Sequence, residues 1–369
     1  MKPFDFEAMV IGGGPAGATA ARVLANSGIS TLLVERDMKR NKLCGGGLVS
    51  TAFDEFGLDK GLINKRVYDI NIASPSGNRV SIPLTGAFLA IVNRKEFDGA
   101  LRDAARGEGA NVIEGEFMGF YTKDSKIVIS IRTGGDTVQY CTKYLIGADG
   151  VNSRVRKVLT GSFSRRLFTL QETVAGLQTD HCELRFGSSF APGYYAWLFP
   201  HHDGCSIGTG ALRAAEVPNL LDNYLKAHAL HSSGATRGYY IPLWEDRVYY
   251  KNNVLLTGDA AGQVLPFTFE GIYYSMKSAE FAALAVAEGK PEAYKRLWRE
   301  RFRKRFLIMK MLQTFFLKND AMAETLVAIH QRPEVKEASQ KLWLKKDSHT
   351  GSLYSYFKHV SKLVRSLLH

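Results

Sequence analysis

The sequence predicts an α/β fold that combines parallel β-α units with an antiparallel β-sheet and ends in helices. Three observations lead to this prediction. Short apolar runs open into glycine-rich turns at three places along the 369 residues. Between residues 161 and 249, apolar and polar residues alternate as they do in half-buried strands. From residue 291 onwards, helical periodicity and dense basic charge replace that alternation.

The first glycine-rich turn lies between a buried strand and a helix. The apolar residues 8–11 precede the turn, which reads Gly-Gly-Gly-Pro-Ala-Gly and is followed by an alanine-rich helical segment. In such a turn Gly12 permits the tight bend, Gly14 lets the backbone approach a pyrophosphate, and Gly17 lets the helix pack on the strand. The segment therefore predicts a Rossmann-like dinucleotide site.

An acidic residue stands where the ribose of such a nucleotide would lie. A second apolar run, residues 31–34, ends at Glu35. A carboxylate at this position binds the 2′-OH of an adenosine ribose, which favours a nucleotide without a 2′-phosphate. The neighbouring Arg36 would suit a 2′-phosphate instead, so both remain open.

Two later turns distinguish a flavin from a nicotinamide cofactor. Residues 144–150 form a short apolar strand that ends in Gly-Ala-Asp-Gly, with Asp149 in the turn. Residues 254–262 repeat the design with Gly-Asp-Ala-Ala-Gly, where Asp259 is placed to bind a polyol such as a ribityl chain. Three such turns in this order indicate FAD.

The composition indicates which classes of partner the chain could bind. The net charge is +12 and the isoelectric point about 9.4, which favours an anionic partner surface. The basic residues fall in helical segments with apolar stripes, so the pattern favours an anionic membrane surface and not a nucleic acid. No Cys-x-x-Cys pair is present, and no apolar run reaches the roughly 18 residues that span a bilayer. We expect no metal and a cytoplasmic protein, peripheral on the inner membrane face at most.

The chain resembles the FAD-dependent superfamily that includes the aromatic hydroxylases, over about residues 6 to 290. It is most similar to the geranylgeranyl reductase branch, through residues 42–48 (KLCGGGL), 195–200 (YAWLFP) and 266–274 (PFTFEGIYY). The sequence departs from that branch at Phe269, where a glycine is common, and at His201, where a lysine is common. Both departures concern the substrate and leave the flavin prediction intact.

The resemblance implies a discontinuous FAD-binding domain of residues 1–70, 94–160 and 250–290. Residues 71–93 and 161–249 would form the antiparallel substrate-binding sheet, followed by a helical region of residues 291–369. A hairpin is predicted at residues 69–83, and helices are predicted from residue 94, near residues 217–229 and at residues 271–287. In the last stretch, apolar residues from Leu353 to Leu367 recur at helical spacing opposite basic ones.

The predicted FAD-binding residues follow from the turns and from the resemblance together. They are Gly12, Gly14, Ala16, Gly17, Glu35, Arg36, Cys44, Gly45, Gly46, Arg94, Asp149, Asp259, Gly262, Gly271 and Ile272. Arg94 inherits its role from the resemblance, with a solvated helix-capping arginine as the alternative. The dipole of the helix that begins at Gly271 would stabilise negative charge at the flavin N1/C2 carbonyl.

The predicted substrate wall is aromatic. It comprises Tyr195, Trp197, Phe199, Phe267 and Phe269, and ordinary core packing is the alternative explanation for each. Cys44 is the candidate acid for the reaction, because a thiol can donate a proton and the adjacent glycines would let it approach the flavin ring; its alternative is a small residue in a tight loop. His201 and His202 are expected in a solvent-exposed hairpin turn.

The resemblance implies an FAD-dependent oxidoreductase that reduces carbon–carbon double bonds of an isoprenoid chain, by hydride transfer from N5 of the reduced flavin. The apolar substrate would carry a geranylgeranyl-type prenyl chain. No second nucleotide fingerprint is present, so the electron donor would be a transiently bound NAD(P)H or a reduced redox protein. Two alternatives stay open, a flavin monooxygenase or halogenase acting on an apolar substrate, and a quinone-linked electron-transfer flavoprotein. The oligomeric state stays open as well.

Overall fold

The computed structural model describes residues 4–42, 44–344 and 346. The helix predicted from Leu353 to Leu367 lies outside these described residues. The strands, in chain order, are β1 Phe6–Ile11, β2 Thr31–Glu35, β3 Gly47–Val49, β4 Ile63–Val67, β5 Asp69–Ala73, β6 Arg79–Pro83, β7 Leu89–Val92, β8 Asn111–Glu114, β9 Glu116–Lys123, β10 Lys126–Thr133, β11 Asp136–Gly147, β12 Arg166–Ala175, β13 His181–Arg185, β14 Ala196–His201, β15 Gly204–Ala211, β16 Arg237–Pro242, β17 Tyr250–Lys251 and β18 Val254–Leu256.

The helices alternate with these strands in the first part of the chain and follow one another in the last part. They are α1 Pro15–Asn26, α2 Thr51–Phe56, α3 Arg94–Gly107, α4 Arg154–Thr160, α5 Val217–Lys226, α6 Ile272–Ala287, α7 Ala293–Trp298, α8 Lys304–Phe316, α9 Asp320–Ile329 and α10 Pro333–Leu344. A π-helical turn, Arg299–Arg303, joins α7 to α8. The helices predicted from residue 94, near 217–229 and at 271–287 are confirmed as α3, α5 and α6.

The described chain divides into two compact units. The first contains residues up to 42, 94–166 and 241–303, and the second contains residues 44–93, 167–240 and those from 304 onwards. The functional domains predicted from the resemblance stay a prediction, because compactness alone does not tell which residues bind cofactor and which bind substrate.

The first unit is built on a mainly parallel sheet. Its strand order is β17-β18-β11-β1-β2-β8, in which the strands from β18 to β8 run parallel, and β9 and β10 extend it as an antiparallel ribbon on β11. The parallel strands are buried apolar runs, as expected when helices cover both faces. Helix α1 packs against α3 and α6. Because β2 and β11 flank β1 on opposite sides, the carboxyl end of β1 is the topological switch point where ligands bind in such sheets.

The second unit is built on a mostly antiparallel sheet with the order β16-β12-β15-β14-β13-β5-β6. The predicted hairpin is confirmed as β5 and β6. On one face of this sheet, Leu198 and Ile207 form a core with Leu221 and Leu225 of α5. Side chains alternate along a strand, so Trp197 and Phe199 of β14 lie on the opposite face.

A small sheet, β3-β7-β4, and the helices α8, α9 and α10 complete the second unit. The predicted α/β class with an antiparallel sheet and C-terminal helices is therefore confirmed. None of the helices in the described part of the chain has both the length and the apolar character needed to cross a membrane.

Candidate cofactor site

The three glycine-rich turns meet at one edge of the first unit's sheet. They follow the carboxyl ends of β1, β11 and β18, which are neighbouring parallel strands. The Ala148 N–H donates to the Ile11 carbonyl at 2.8 Å, and the Thr257 N–H donates to the Gly147 carbonyl at 3.0 Å. Backbone hydrogen bonds thus join the three turns into one continuous surface.

The glycines of the first turn have different tasks. Gly12 has φ +101°, and a Cβ on it would lie 2.4 Å from the Ala148 carbonyl oxygen. A Cβ on Gly17 would lie 1.7 Å from the Gly12 carbonyl oxygen, so only glycine lets α1 pack on the turn. At Gly14 the nearest atom to such a Cβ is Asp98 Oδ2 at 3.9 Å, which leaves room for a ligand to approach. The tight bend at Gly12 and the close packing at Gly17 are present as expected, and the approach of a pyrophosphate to Gly14 stays a prediction.

The N-terminus of α1 suits an anion. The helix starts with Pro15 after Gly14, and among the described residues no side chain caps it. The N–H groups of its first turn, including that of Ala16, are therefore left to a ligand, and the helix dipole favours negative charge there. This opening above Gly14 fits the pyrophosphate of FAD.

Glu35 lies against the first turn. Its Oε2 accepts a hydrogen bond from the Gly13 N–H at 2.5 Å, and its Oε1 accepts one from the Asp37 N–H at 3.0 Å. The carboxylate is thus held beside the turn at the end of β2, where a ribose would lie. Arg36 is exposed to solvent. The predicted contact of Glu35 with the adenosine ribose stays a prediction.

Helix α3 carries a buried charged row that the sequence analysis recognised only in part. Arg94 and Asp98 are buried and form a bidentate pair, at 2.9 and 2.8 Å. Arg94 is therefore not the solvated capping arginine of the alternative interpretation. Arg102, one turn further on, donates to the Gly13 carbonyl at 3.1 Å and to the Met38 carbonyl at 2.9 Å. The four-residue spacing on a buried face was the signal that could have identified Arg102.

The Asp149 carboxylate accepts hydrogen bonds from the residues that directly follow its own turn. Its Oδ1 accepts from the Ser153 hydroxyl at 2.5 Å and its Oδ2 accepts from the Val155 N–H at 3.1 Å, which caps the start of α4. Burial raises the pKa of Asp149, and these hydrogen bonds lower it without cancelling the rise. The predicted contact of Asp149 with FAD stays a prediction.

Arg156 joins the second turn to the third, which sequence reasoning did not anticipate. This buried guanidinium donates to the Tyr249 hydroxyl at 2.7 Å and to Glu245 at 3.2 Å, and it stacks on the Tyr249 ring at 4.4 Å. It also donates to the carbonyl of Ala260 at 3.5 Å. A Cβ on the predicted cofactor residue Gly262 would lie 3.9 Å from it.

A buried hydrogen-bond network holds the third turn. The Gly258 N–H donates to Gln263 Oε1 at 2.9 Å and to Ser278 Oγ at 3.0 Å. The Gln263 amide donates to the Tyr294 hydroxyl at 2.7 Å, which in turn donates to the Leu256 carbonyl at 2.9 Å. Burial raises the pKa of Tyr294, so this hydroxyl stays protonated and remains a donor. The network positions the chain that leads to α6.

Asp259 belongs to the third turn and lies in space beside the N-terminus of α6. It has a cationic partner. Its Oδ2 accepts from Lys42 Nζ at 2.7 Å, with 23% of the lysine and 13% of the aspartate side chain exposed. A Cβ on Gly271 would lie 3.6 Å from Asp259 Oδ1. The structure therefore brings together Asp259, Gly271 and the N-terminus of α6, which begins at Ile272 and which no described side chain caps. Lys42 was noted only as part of a family motif.

The turn before α6 is strained. Phe267 and Phe269 have φ values of +75° and +54°, in the left-handed region that favours glycine. The Thr268 N–H donates to the Pro266 carbonyl at 3.0 Å, so Phe267 is the centre of a γ-turn of the rare, strained kind. The glycine that is common at position 269 in the resembling branch would adopt this backbone without strain. Both rings are half-buried.

In the second unit, the Cys44 loop lies against the aromatic strand β14. A Cβ on Gly45 would lie 3.0 Å from the Phe199 ring, and one on Gly47 would lie 3.3 Å from it. Cys44 is half-buried, and its Sγ accepts from the Gly46 N–H at 3.4 Å. The structure thus places Gly45, of the predicted residues 44–46, against Phe199.

The other residues of the predicted wall have different surroundings. A Cβ on Gly208 would lie 2.2 Å from Trp197 Cζ2, so the indole lies flat on the backbone of β15. Tyr195 meets Phe186 edge-on, with ring centroids 6.4 Å apart.

The exposure expected for His201 is wrong, because β14 continues through this residue and its Nε2 is buried without a hydrogen-bond partner among the described residues. Burial lowers the pKa of His201. The exposure expected for His202 is confirmed.

The predicted site residues are thus divided between the units. The first unit holds Gly12, Gly14, Ala16, Gly17, Glu35, Arg36, Arg94, Asp149, Asp259, Gly262, Gly271, Ile272, Phe267 and Phe269. The second holds Cys44, Gly45, Gly46, Tyr195, Trp197 and Phe199. Their individual contacts with cofactor and substrate stay predictions.

Comparison with known proteins supports the flavin site. The family model of the FAD binding domain matches residues 5–222. A geranylgeranyl diphosphate reductase of Rhodobacter capsulatus is 30% identical over 369 residues, which cover 92% of each chain. A crystal structure of a geranylgeranyl bacteriochlorophyll reductase-like protein from Thermoplasma acidophilum has a TM-score of 0.86, at 24% identity over 98% of both chains. A flavin-dependent brominase has a TM-score of 0.73 at 16% identity, over 98% of this chain and 99% of its own.

Proposed function

Because the chain belongs to the FAD-binding family and, within it, to the geranylgeranyl reductases, we propose that this FAD-dependent oxidoreductase reduces carbon–carbon double bonds of an isoprenoid chain. The observation that carries the proposal is the 30% identity with a geranylgeranyl diphosphate reductase over 92% of both chains. The brominase shares the fold at only 16% identity. A monooxygenase, a halogenase and a quinone-linked flavoprotein have no specific observation in their favour.

The residues present fit FAD. The opening at Gly14 and the N-terminus of α1 would hold the pyrophosphate, Glu35 would hold the adenosine ribose, and Asp259 would hold the ribityl chain. The N-terminus of α6 would place positive potential beside the flavin ring. When bound and reduced, the flavin supplies a hydride from its N5 atom.

The chain itself must supply a proton and exclude water, because an isolated double bond takes up a hydride at one carbon and a proton at the other. Cys44 is the proposed donor. Its Sγ accepts the Gly46 N–H, which leaves the S–H hydrogen to be donated elsewhere. The Phe199 ring beside this loop supports a dry environment.

The proposed substrate is a geranylgeranyl-type chain that lies along Tyr195, Trp197 and Phe199, with Phe267 and Phe269 as further contacts. An apolar chain gains most from a wall of large rings. We propose NAD(P)H or a reduced redox protein as the transient electron donor, and peripheral association with an anionic membrane as the way to reach lipid substrates.

The test is a single-turnover reaction under anaerobic conditions. Photoreduced enzyme is mixed with geranylgeranyl diphosphate or with a phospholipid that carries geranylgeranyl chains. The expected result is reoxidised flavin and a product heavier by two hydrogens for each bond reduced, whereas the fully saturated analogue leaves the flavin reduced. Flavin that stays reduced with every prenyl compound would contradict the proposal, and oxygen uptake stimulated by substrate would favour a monooxygenase.

A further inference from the structure

We propose that the outward face of α8 docks this protein on the surface of an anionic lipid bilayer. This outward face consists of Lys304, Leu307, Ile308, Met311 and Phe315. The proposal rests on the membrane association proposed above and deepens it, because it names the surface that makes the contact.

Helix α8 is apolar on both sides. Its inner side is the core face, which holds Arg305, Phe306, Met309, Leu312, Gln313 and Phe316. On the opposite side, Leu307 is 40% and Met311 46% exposed. These two residues are four apart and therefore adjacent on the helix surface. Ile308 and Phe315 lie beside them, half-buried. The outward face thus presents a contiguous apolar strip to solvent.

The charges that residues 301–318 contribute beside this strip are of one sign. Residues 301–318 contain no aspartate or glutamate, while Lys304, Lys310 and Lys318 surround the strip. The carboxylates of the next helix are engaged elsewhere. Asp320 accepts from the Ser188 N–H at 2.7 Å, and Glu324 accepts from the N–H of residue 76 at 2.6 Å. An apolar strip with a lysine rim is the pattern of helices that lie in the interface of anionic membranes.

Charge distinguishes a bilayer from the other occupants of such a face. A second copy of the same face would bring lysines against lysines. The chain beyond residue 346 is also basic, with Lys358, Lys362 and Arg365 against the single carboxylate of Asp347. Both alternatives place like charges together, which is unfavourable. An anionic lipid surface complements the face in both polarity and charge.

The inner side of α8 is linked to the proposed substrate wall. The Gln313 amide donates to the Gly193 carbonyl at 3.3 Å, and Gly193 belongs to the loop that leads into β14. A bilayer on the outward face would therefore lie one helix away from the strand that carries Trp197 and Phe199. This link to substrate entry rests on the proposed reaction, whereas the docking itself does not.

The experiment is flotation of the full-length holoenzyme with phosphatidylcholine vesicles, with and without phosphatidylglycerol. Wild-type protein should float with the anionic vesicles and lose this binding at high salt. The L307E/M311E variant should bind at least about tenfold more weakly, because it places charge in the apolar strip. The matched control is L284E, since Leu284 of α6 is also 40% exposed but lies in the first unit. It should float like wild type.

A second variant, K304Q/K310Q, tests the charge without touching the strip, and it should lose the preference for anionic vesicles. Bound FAD and the melting temperature show that each variant is folded. The proposal is overturned if L307E/M311E floats like wild type, or if wild type binds neutral and anionic vesicles equally. It is also overturned if L307E/M311E converts a dimer to a monomer, or if truncation after residue 346 is needed before vesicles bind. Flotation involves no turnover, so its result is independent of the reductase assay.

Discussion

The edge of the first unit that carries the glycine turns and the main sheet of the second unit are held in different ways. At the edge, main-chain atoms contact main-chain atoms, as where Gly17 meets the Gly12 carbonyl. In the second unit, side chains decide the arrangement. One face of the sheet carries a buried ionic cluster around Glu183, and the other carries Trp197 and Phe199. A site built from backbone tolerates few substitutions, whereas a side-chain wall can change with its ligand.

The comparison is tested most severely by Gly17→Ala. Its methyl group would lie 1.7 Å from the Gly12 carbonyl oxygen, so the turn and α1 must separate. We expect the purified variant to lack bound FAD, as measured by its visible absorbance, and to melt well below wild type. Gly119→Ala is the control, because a Cβ there has no described atom within 4 Å and Gly119 has no positive φ. A yellow, stable Gly17→Ala protein would show that the backbone contact is dispensable.

The ionic cluster of the second unit predicts a steep acid dependence of stability. Burial alone would raise the pKa of Glu183, but the hydrogen bond and charge of His228, the charge of Arg79 and the Tyr224 hydroxyl outweigh it and lower the pKa to about 2. A carboxyl group whose pKa is lowered by folding stabilises the folded state at every pH above its pKa in the unfolded chain, which is near 4.5. This contribution disappears as the pH falls towards 2. The shift corresponds to about 3 kcal/mol.

Urea unfolding of wild type and Glu183→Gln between pH 5 and pH 2 measures this contribution, about 3 kcal/mol over that range. The wild type should lose more free energy of unfolding than the variant as the pH falls. Equal slopes would mean that Glu183 titrates normally and that the cluster does not hold α5 to the sheet.

Lys42 provides an intermediate case, since here a side chain completes the backbone-built edge. Lys42→Met leaves Asp259 without its cation in a largely buried position, so we expect the affinity for FAD to fall about tenfold, near 1.4 kcal/mol. The matched control is Lys60→Met. Its pair with Asp54 also measures 2.7 Å, but the two side chains are 64% and 72% exposed, and such pairs contribute little. Titration of apoprotein with FAD should separate the two variants; identical affinities would remove Lys42 from the site.

The same contrast explains which features could be predicted from the sequence. The turn at Gly12 follows from local rules, because a strand, a glycine turn and a helix are contiguous there in the chain. At Gly258 the contiguous signal is a strand followed by a glycine turn. The sequence analysis did not identify Arg102 and Lys42 as residues that contact the turns. Their partners lie 89 and 217 residues away in the chain, and no local pattern shows such pairings. His201 was misplaced because β14 continues through it, so the turn begins one residue later than expected.

Asp149 shows a different ambiguity. An acid in a loop before a helix suits a cofactor contact and a helix cap equally well in sequence. Only the positions of the Ser153 hydroxyl and the Val155 N–H reveal the cap. Sequence patterns therefore predicted where the chain turns, while the partners of long or loop-borne side chains required the fold.

The smallest expected effect concerns Phe269, which combines a half-buried ring with a backbone that suits glycine. Glycine adopts the left-handed conformation without the cost of about 1–2 kcal/mol that another residue has there. This gain should offset much of the stabilisation that is lost when the ring is removed. We therefore expect Phe269→Gly to change the free energy of unfolding by less than about 1 kcal/mol. Phe199→Gly, in the regular strand β14, should cost about 3 kcal/mol, because a half-buried ring is lost with no strain to relieve. If urea unfolding shows that the two variants lose the same free energy of unfolding, the turn before α6 stores no strain. The backbone at Phe269 would then tolerate as few substitutions as the glycine turns do.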